Sequence, residues 1–454
     1  MNKRAAFHTL GCRVNAYETE AMAEQLQEDG YEIVPFETEA DVYVINTCTV
    51  TNIADRKSRQ MLHRAREMNP GAVIVAAGCY AEGAGGKIRA SADADLILGN
   101  SEKLRIAEFL RDHMAGRERV VPEHALLREK EYRQASISRA DGRTRAFVKI
   151  QDGCNQFCTY CMIPYVRGRV RSRSAADILS EAERLAEAGY AEIILTGIHI
   201  SSYGIDFDAP GENRQTPHAR NAVTNQHLLK LARDIAAIDG VKRLRFGSLE
   251  PGIMTEEFVN SLAEIPEICP QFHLSLQSGC DATLSRMNRR YDTAAYETIV
   301  GRIRKAFPCP AITTDVIAGF PGETEAEFAE TIDFVTRIGF AKMHIFKYSR
   351  RDGTKAASMK GQLSEKVKKE RSDKLAGIDR ICALDFAKKF EGADVEVLFE
   401  ERRDMGGTVY DTGHTKEAVD ALCISDYDLS GKIVRCRVVE VRTDGALLVK
   451  ICNI

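Results

Sequence analysis

The segment Gly153-Cys154-Asn155-Gln156-Phe157-Cys158-Thr159-Tyr160-Cys161 sets three cysteines in a C-x3-C-x2-C loop directly after a strand-like run, Ala146 to Ile150. Three thiolates on one tight loop suit a soft metal centre, and iron–sulfur clusters are held by cysteines spaced in this way. A structural zinc site closes with four protein ligands, whereas this loop offers three and no adjacent histidine. A cluster with one open iron is therefore favoured over structural zinc or unliganded thiols. The chain must present the loop at a strand end, and the surrounding sequence repeats βα units that do so.

From Ala146 onward, strand candidates Glu192 to Thr196, Arg243 to Phe246, Phe272 to Leu276, Thr313 to Ile317 and Lys342 to Phe346 alternate with helical stretches. Ser174 with Asp177 opens one helix in capping-box fashion, and Thr324 with Glu327 opens another. This pattern predicts a full or partial parallel (β/α) barrel over 143–390. Before it, Ala5 to Leu10, Val42 to Asn46 and Val73 to Ala77 read as strands, Tyr17 to Glu28 and Ile53 to Met68 as amphipathic helices, and Glu102 to Met114 as a last helix. That predicts an open parallel α/β domain over 1–116, with 117–142 as a linker. After the lysine-rich helix Leu363 to Phe390, short β-type runs at Val395 to Phe399, Thr408 to Tyr410, Ile433 to Val441 and Ala446 to Ile451 predict a small all-β barrel over 391–454.

Cys12, Cys48 and Cys79 each follow one of the first three predicted strands. The carboxyl ends of parallel strands share one edge, where ligands bind, so three cysteines from separate βα units converge there. Semi-buried thiols are the alternative; the repeated placement favours a second cluster with an open iron. The other seven cysteines, Cys269, Cys280, Cys309, Cys382, Cys423, Cys436 and Cys452, share no spacing and read as packing or surface thiols. Thirteen cysteines cannot all pair within one chain, and the opening stretch lacks a signal-peptide apolar region, so a reducing, cytoplasmic setting is expected. No apolar run approaches the length of a membrane span.

The C-x3-C-x2-C loop with Tyr160 before its last cysteine resembles the signature of radical S-adenosylmethionine enzymes. Together the two triads, with Leu10-Gly11-Cys12-Arg13-Val14-Asn15, Asn46-Thr47-Cys48-Thr49-Val50, Ile163-Pro164-Tyr165-Val166-Arg167-Gly168, Leu276-Gln277-Ser278-Gly279 and Gly319-Phe320-Pro321-Gly322-Glu323-Thr324, resemble the methylthiotransferase family. The Leu-Gly-Cys-Arg-Val-Asn opening looks most like the branch acting on N6-threonylcarbamoyladenosine beside the tRNA anticodon. The resemblance implies two [4Fe-4S] clusters, a radical one on Cys154, Cys158 and Cys161 and an auxiliary sulfur-carrying one on Cys12, Cys48 and Cys79. It also implies a C-terminal barrel of the TRAM type, and tRNA, an electron donor and a sulfur donor as partners. Tyr160, Thr196, Gly197, Ser275, Gln277, Gly319 and Gly322 are implied to seat S-adenosylmethionine. An isopentenyladenosine or ribosomal-protein aspartate substrate stays open, as does a non-catalytic iron–sulfur RNA-binding redox regulator.

Charge limits the RNA contact. Lys plus Arg is 63 and Asp plus Glu is 66, which excludes a globally basic coat protein. Residues 341–390 hold 14 Lys or Arg against 6 Asp or Glu, whereas 391–454 hold 8 against 13, leaving Lys416, Arg435 and Arg437 as candidate contacts there. A threonylcarbamoyl group carries a carboxylate, which a bidentate arginine reads well. Arg13 lies beside Cys12, and Arg167, Arg169, Arg171 and Arg173 alternate beyond the cluster loop. If that stretch is extended, all four point to one face and clamp phosphate or carboxylate.

Overall fold

Short β-branched runs joined by amphipathic helices can bury both faces of a sheet only if its strands run parallel. The first five do so. In the computed structural model, which describes residues 3–91, 93–117, 132, 137, 144–207 and 226–452, β1 (Arg4–Thr9), β2 (Glu32–Val34), β3 (Val42–Thr47), β4 (Val73–Gly78) and β5 (Leu96–Leu98) form one parallel sheet in the order β2-β1-β3-β4-β5. Every residue of the central β3 is buried. The order reverses between β1 and β3, and a sheet of this kind opens its ligand crevice at the carboxyl ends beside that reversal.

The helices of this unit are α1 (Arg13–Glu28), α2 (Asn52–Met68), α3 (Cys79–Ser91) and α4 (Ile106–Met114). α1 starts earlier than periodicity suggests, because Cys12 holds the extended N-cap conformation. The three-residue strands β2 and β5 are too short to show an alternation. Gly83, Gly85 and Gly86 conceal α3, whose backbone leaves helical geometry at Ala84. Of the linker expected over 117–142, Arg117, Tyr132 and Ile137 are described, with Ile137 inside the main core; the remainder lies outside the described residues.

The second unit carries β6 (Arg145–Asp152), β7 (Arg171–Ser172), β8 (Glu192–Gly197), β9 (Arg243–Phe246), β10 (Ser248–Leu249), β11 (Gln271–Leu274), β12 (Ala311–Ala318) and β13 (Lys342–Lys347). Two sheets, β7-β6-β8-β9 and β10-β11-β12-β13, meet where Leu244 bridges Ile268, which gives a partial barrel rather than a closed one. β7 alone runs antiparallel to its neighbour. Ile193, Leu195, Leu244 and Phe246 pack with Ile178, Ala182, Leu185, Leu228 and Leu231 of the covering helices in the largest core. The helix Ala175–Glu187 is capped by Ser174, and Glu325–Ile338 by a complete Thr324/Glu327 capping box, as the sequence predicts.

After the long helix Glu365–Lys388, the strands β14 (Asp394–Asp404), β15 (Val409–Thr415), β16 (Asp420–Cys423), β17 (Ile433–Val441) and β18 (Leu447–Ile451) close a barrel in the order β14-β15-β16-β18-β17. Sequence reading missed β16. This barrel abuts the amino ends of the parallel strands: Arg243 donates to the carbonyls of His414 (3.2 Å) and Glu396 (2.8 Å), and Glu192 accepts from Arg245 at 2.9 Å and lies 3.1 Å from His414 Nε2. The opposite, carboxyl edge stays available for chemistry. No helix among the described residues is long and apolar enough to cross a membrane.

Candidate cluster sites

Strand register brings the first cysteines together. Thr47 pairs with Gly78, so Cys48 and Cys79 leave adjacent strands at the same level, while Leu10 N donates to Asn46 O at 3.0 Å and carries Cys12 to that edge. Gly11 takes φ +100°, and a Cβ there would stand 2.7 Å from Cys48 Sγ, so the turn closes over Cys48 only with glycine. Asn15 Nδ2 donates to Leu10 O (2.7 Å) and Thr47 O (3.0 Å), tying two of the cysteine loops. Cys12 caps α1 and Cys79 opens α3, where the positive ends of helices favour sulfur anions. Burial, reinforced by the neighbouring sulfurs Cys79 and Cys12, pushes the Cys48 thiol up to about 12. Without a cation it keeps its proton at neutral pH; an iron that takes the sulfur displaces that proton.

The barrel loop is held just as firmly. Gly153 has φ +74°, and a Cβ there would fall 1.8 Å from Arg169 O. Cys154 N donates to Gly168 O (3.0 Å), Thr159 N to Met287 O (3.1 Å) and Asn288 Nδ2 to Phe157 O (3.1 Å). Burial raises the Cys154 and Cys161 thiols, with Cys158 adding to both. Arg289, buried on the segment that braces the loop, donates to Cys158 Sγ at 3.1 Å and to Glu250 Oε2 at 2.7 Å. Tyr160 packs edge-on against Phe320 at 6.3 Å. Among the described residues, no three His, Cys, Asp or Glu side chains gather as one metal ion requires. Two triads at strand ends, each touched by a buried arginine, fit clusters that spread their ligands over several irons.

Thr196 and Gly197 end β8, and Ser275 and Gln277 follow β11, all at the same edge as the loop. Gln277 holds φ +72°, fixed by Gln277 N to Asp315 O and Ile317 N to Gln277 O, both 2.9 Å. Gly319 N donates to Glu323 Oε2 (3.0 Å) and Gly322 N to Gly361 O (2.8 Å), so these two glycines spend their amide protons inside the fold and shape the turn.

The arginine row departs from the expected clamp. The stretch is not extended: a short helix, Ile163–Val166, is followed by a turn at Gly168 (φ +71°) and the two-residue β7. Arg167, Arg171 and Arg173 are buried and paired within the chain. Arg173 pairs with Glu181 and reaches Tyr17 Oη at 3.3 Å, and Arg171 donates to the carbonyls of Arg167 (3.0 Å) and Arg169 (3.2 Å). Carboxylates that sequence reading left aside draw them inward. Arg169 alone is partly exposed, over the Phe157 ring at 4.3 Å. Arg13 is exposed, lies 5.7 Å from the Phe147 ring centroid and makes no ion pair among the described residues. Lys416, Arg435 and Arg437 have acidic neighbours at Glu396 or Asp394.

Between the triads lies a buried polar cluster. Glu18 of α1 meets Arg167 (2.7 Å), Lys149 (2.7 Å) and Lys103 (2.5 Å), and Asp152 meets Lys149 at 2.6 Å. Burial alone would raise the Glu18 carboxyl, yet Arg167, Lys103 and Lys149 hold it well below the usual carboxylate range. A group depressed on folding contributes its stability above its unfolded pKa and loses it as pH falls toward the folded value. That contribution is thus complete at neutral pH and fades only in acid. Glu18→Ala strands Lys103 and takes from Lys149 and Arg167 one of their two carboxylates, and is expected to cost about 3–5 kcal/mol, the scale of a broken buried pair; the denaturant midpoint of unfolding measures it. Lys149, a cation inside a buried strand, was the one sequence signal for this cluster. Arg289 and Glu250 gave none, because only the fold brings them to Cys158.

Comparisons with known proteins follow the same division. Residues 4–99 match the uncharacterized protein family UPF0004, and residues 148–335 match the radical SAM superfamily. The chain is 37% identical to the threonylcarbamoyladenosine tRNA methylthiotransferase MtaB of Bacillus subtilis (strain 168), over 96% of this chain and 93% of that one. It is 35% identical to the tRNA-2-methylthio-N(6)-dimethylallyladenosine synthase of Moorella thermoacetica, over 96% and 95%. The fold resembles that of the radical S-adenosylmethionine methyltransferase TsrM of Kitasatospora setae, with a TM-score of 0.56, 16% identity and coverage of 78% of this chain and 77% of that one. On these grounds the chain belongs to the radical S-adenosylmethionine methylthiotransferase family.

Proposed function

We infer that the chain is an enzyme that replaces the C2 hydrogen of N6-threonylcarbamoyladenosine, beside the anticodon of tRNA, with a methylthio group. The observation that carries this reading is the pair of cysteine triads at the carboxyl ends of parallel strands in two neighbouring sheets, in a chain aligned along 96% of its length with a relative of that activity. The C2–H bond is not appreciably acidic, so a positioned base offers little. When bound, the two [4Fe-4S] clusters and S-adenosylmethionine supply a 5′-deoxyadenosyl radical on one side and a sulfur to be methylated and transferred on the other.

The protein's own groups hold and orient. Cys154, Cys158 and Cys161 grip the radical cluster, with Arg289 fixing the Cys158 sulfur. Cys12, Cys48 and Cys79 grip the auxiliary one. Tyr160, Thr196, Gly197, Ser275 and Gln277 line the edge where S-adenosylmethionine is seated, over a turn shaped by Gly319 and Gly322. The basic helix Glu365–Lys388 offers its exposed lysines to tRNA phosphates. An electron donor and a sulfur donor complete the cycle in a reducing cytoplasm.

For substrate choice, the structure leaves Arg13 and Arg169 as the accessible members of the five arginines. Arg13 is exposed, and Arg145 and Arg245 outnumber Glu192 in its surroundings, so a carboxylate arriving there is attracted. Arg13→Gln is expected to weaken binding of threonylcarbamoyladenosine tRNA by about 1.5–3 kcal/mol, the scale of a hydrogen bond to a charged group. The test is turnover of purified enzyme on tRNAs carrying N6-threonylcarbamoyladenosine or isopentenyladenosine. The first should be the substrate and the second nearly inert; equal or reversed preference moves the chain to the neighbouring branch. Arg13→Gln should erode activity on the first alone.

A further inference from the structure

Arg167 is fully buried, yet it belongs to neither triad. It leaves the barrel loop at the end of the helix Ile163–Val166 and reaches into the N-terminal unit. Its Nε donates to Cys79 Sγ at 3.2 Å, its Nη2 to Asn15 Oδ1 at 2.7 Å and to Glu18 Oε2 at 2.9 Å, and its Nη1 to Glu18 Oε1 at 2.7 Å. Nη1 also meets Asp152 Oδ2 at 3.2 Å, and Asp152 Oδ1 accepts from Gly153 N at 2.8 Å, one residue before Cys154. One guanidinium thus spans from an auxiliary sulfur to the backbone of the radical loop.

The buried cations around it outnumber the carboxylates. Lys103, Lys149 and Arg167 are cations with almost no exposure, and Glu18 and Asp152 are the carboxylates that pair with them. Arg171, 3.9 Å from Asp152, adds further positive charge. A buried cation without a partner is costly. Arg167 places its Nε donor on the Cys79 sulfur, so this surplus of positive charge lies beside one ligand position of the auxiliary triad.

We propose that Arg167 is a positioning residue that locks the auxiliary cluster to the radical loop and, through its charge and its hydrogen bond to Cys79, favours the reduced auxiliary cluster. Net charge and hydrogen bonds to sulfur are among the levers that set cluster potentials. The inference rests on the auxiliary cluster of the proposed function.

The test uses full-length protein carrying Cys154→Ala, Cys158→Ala and Cys161→Ala, so that the auxiliary cluster alone is titrated with reductant and followed by electron paramagnetic resonance. Arg167→Gln should move its potential to more negative values, Arg167→Lys should restore most of the shift, and Glu18→Gln, which removes a negative charge from the same network, should move it the opposite way. A structural role alone would not make the sign follow the charge. Should Arg167→Gln lose its iron, Glu18→Gln decides: a less negative potential supports the proposal, and an unmoved or more negative one overturns it. Equal potentials in all variants overturn it as well. If the parent triple variant takes up no iron, the auxiliary cluster itself is refuted, which separates that failure from this one.

Discussion

A variant with Cys12, Cys48 and Cys79 all changed to Ala is expected to keep cleaving S-adenosylmethionine to 5′-deoxyadenosine and to form no methylthio product. The reason is topological. The radical loop is held by barrel residues, Gly168, Met287 and Asn288, none of which lies in the N-terminal sheet. The three cysteines removed sit at the ends of β1, β3 and β4, which pair with one another and not with a barrel strand. Both products are quantified in one anaerobic assay by chromatography and mass spectrometry. Methylthio product from this variant would remove the sulfur-carrier role from the N-terminal triad.

The complementary variant loses more. Anaerobically reconstituted protein should hold about eight irons as two four-iron clusters, and Cys154→Ala, Cys158→Ala and Cys161→Ala together should leave about four and abolish 5′-deoxyadenosine formation. Iron analysis alongside the cleavage assay gives both numbers. A wild-type content of one cluster, with all six thiols reduced and intact, contradicts the two-cluster account. The buried Cys154 and the high-lying Cys48 thiol also imply that iron uptake releases protons, so reconstitution should proceed further as pH rises.

Much of this architecture is legible in the sequence because parallel strands buried on both faces announce themselves. Val42 to Thr47, Glu192 to Gly197 and Ala311 to Ala318 are short apolar or β-branched runs bounded by turns, and glycine sits directly before Cys12, Cys79 and Cys154 where the chain must reverse. Both cysteine triads could be read from position after a strand. The arginine row could not. Alternation along Arg167 to Arg173 implies one common face only if the backbone is extended, and the positive φ of Gly168 breaks that premise. Nor does spacing reveal that Glu18, more than a hundred positions upstream, supplies the carboxylate that turns Arg167 inward. Long-range pairing of buried charges depends on how the two units dock, and no local pattern encodes it. The same holds for Arg289, whose contact with Cys158 exists only after the barrel closes around the loop.

Methylthiolation of N6-threonylcarbamoyladenosine leaves its record in cellular tRNA. The decisive measurement is mass spectrometry of nucleosides from the tRNA of cells with the gene, without it, and without it but supplied with the Cys12→Ala, Cys48→Ala, Cys79→Ala variant. 2-Methylthio-N6-threonylcarbamoyladenosine should be present in the first, absent in the second with its unthiolated precursor accumulating, and still absent in the third. Unchanged 2-methylthio-N6-threonylcarbamoyladenosine in cells lacking the gene, or a loss confined to methylthiolated isopentenyladenosine, would rule this activity out.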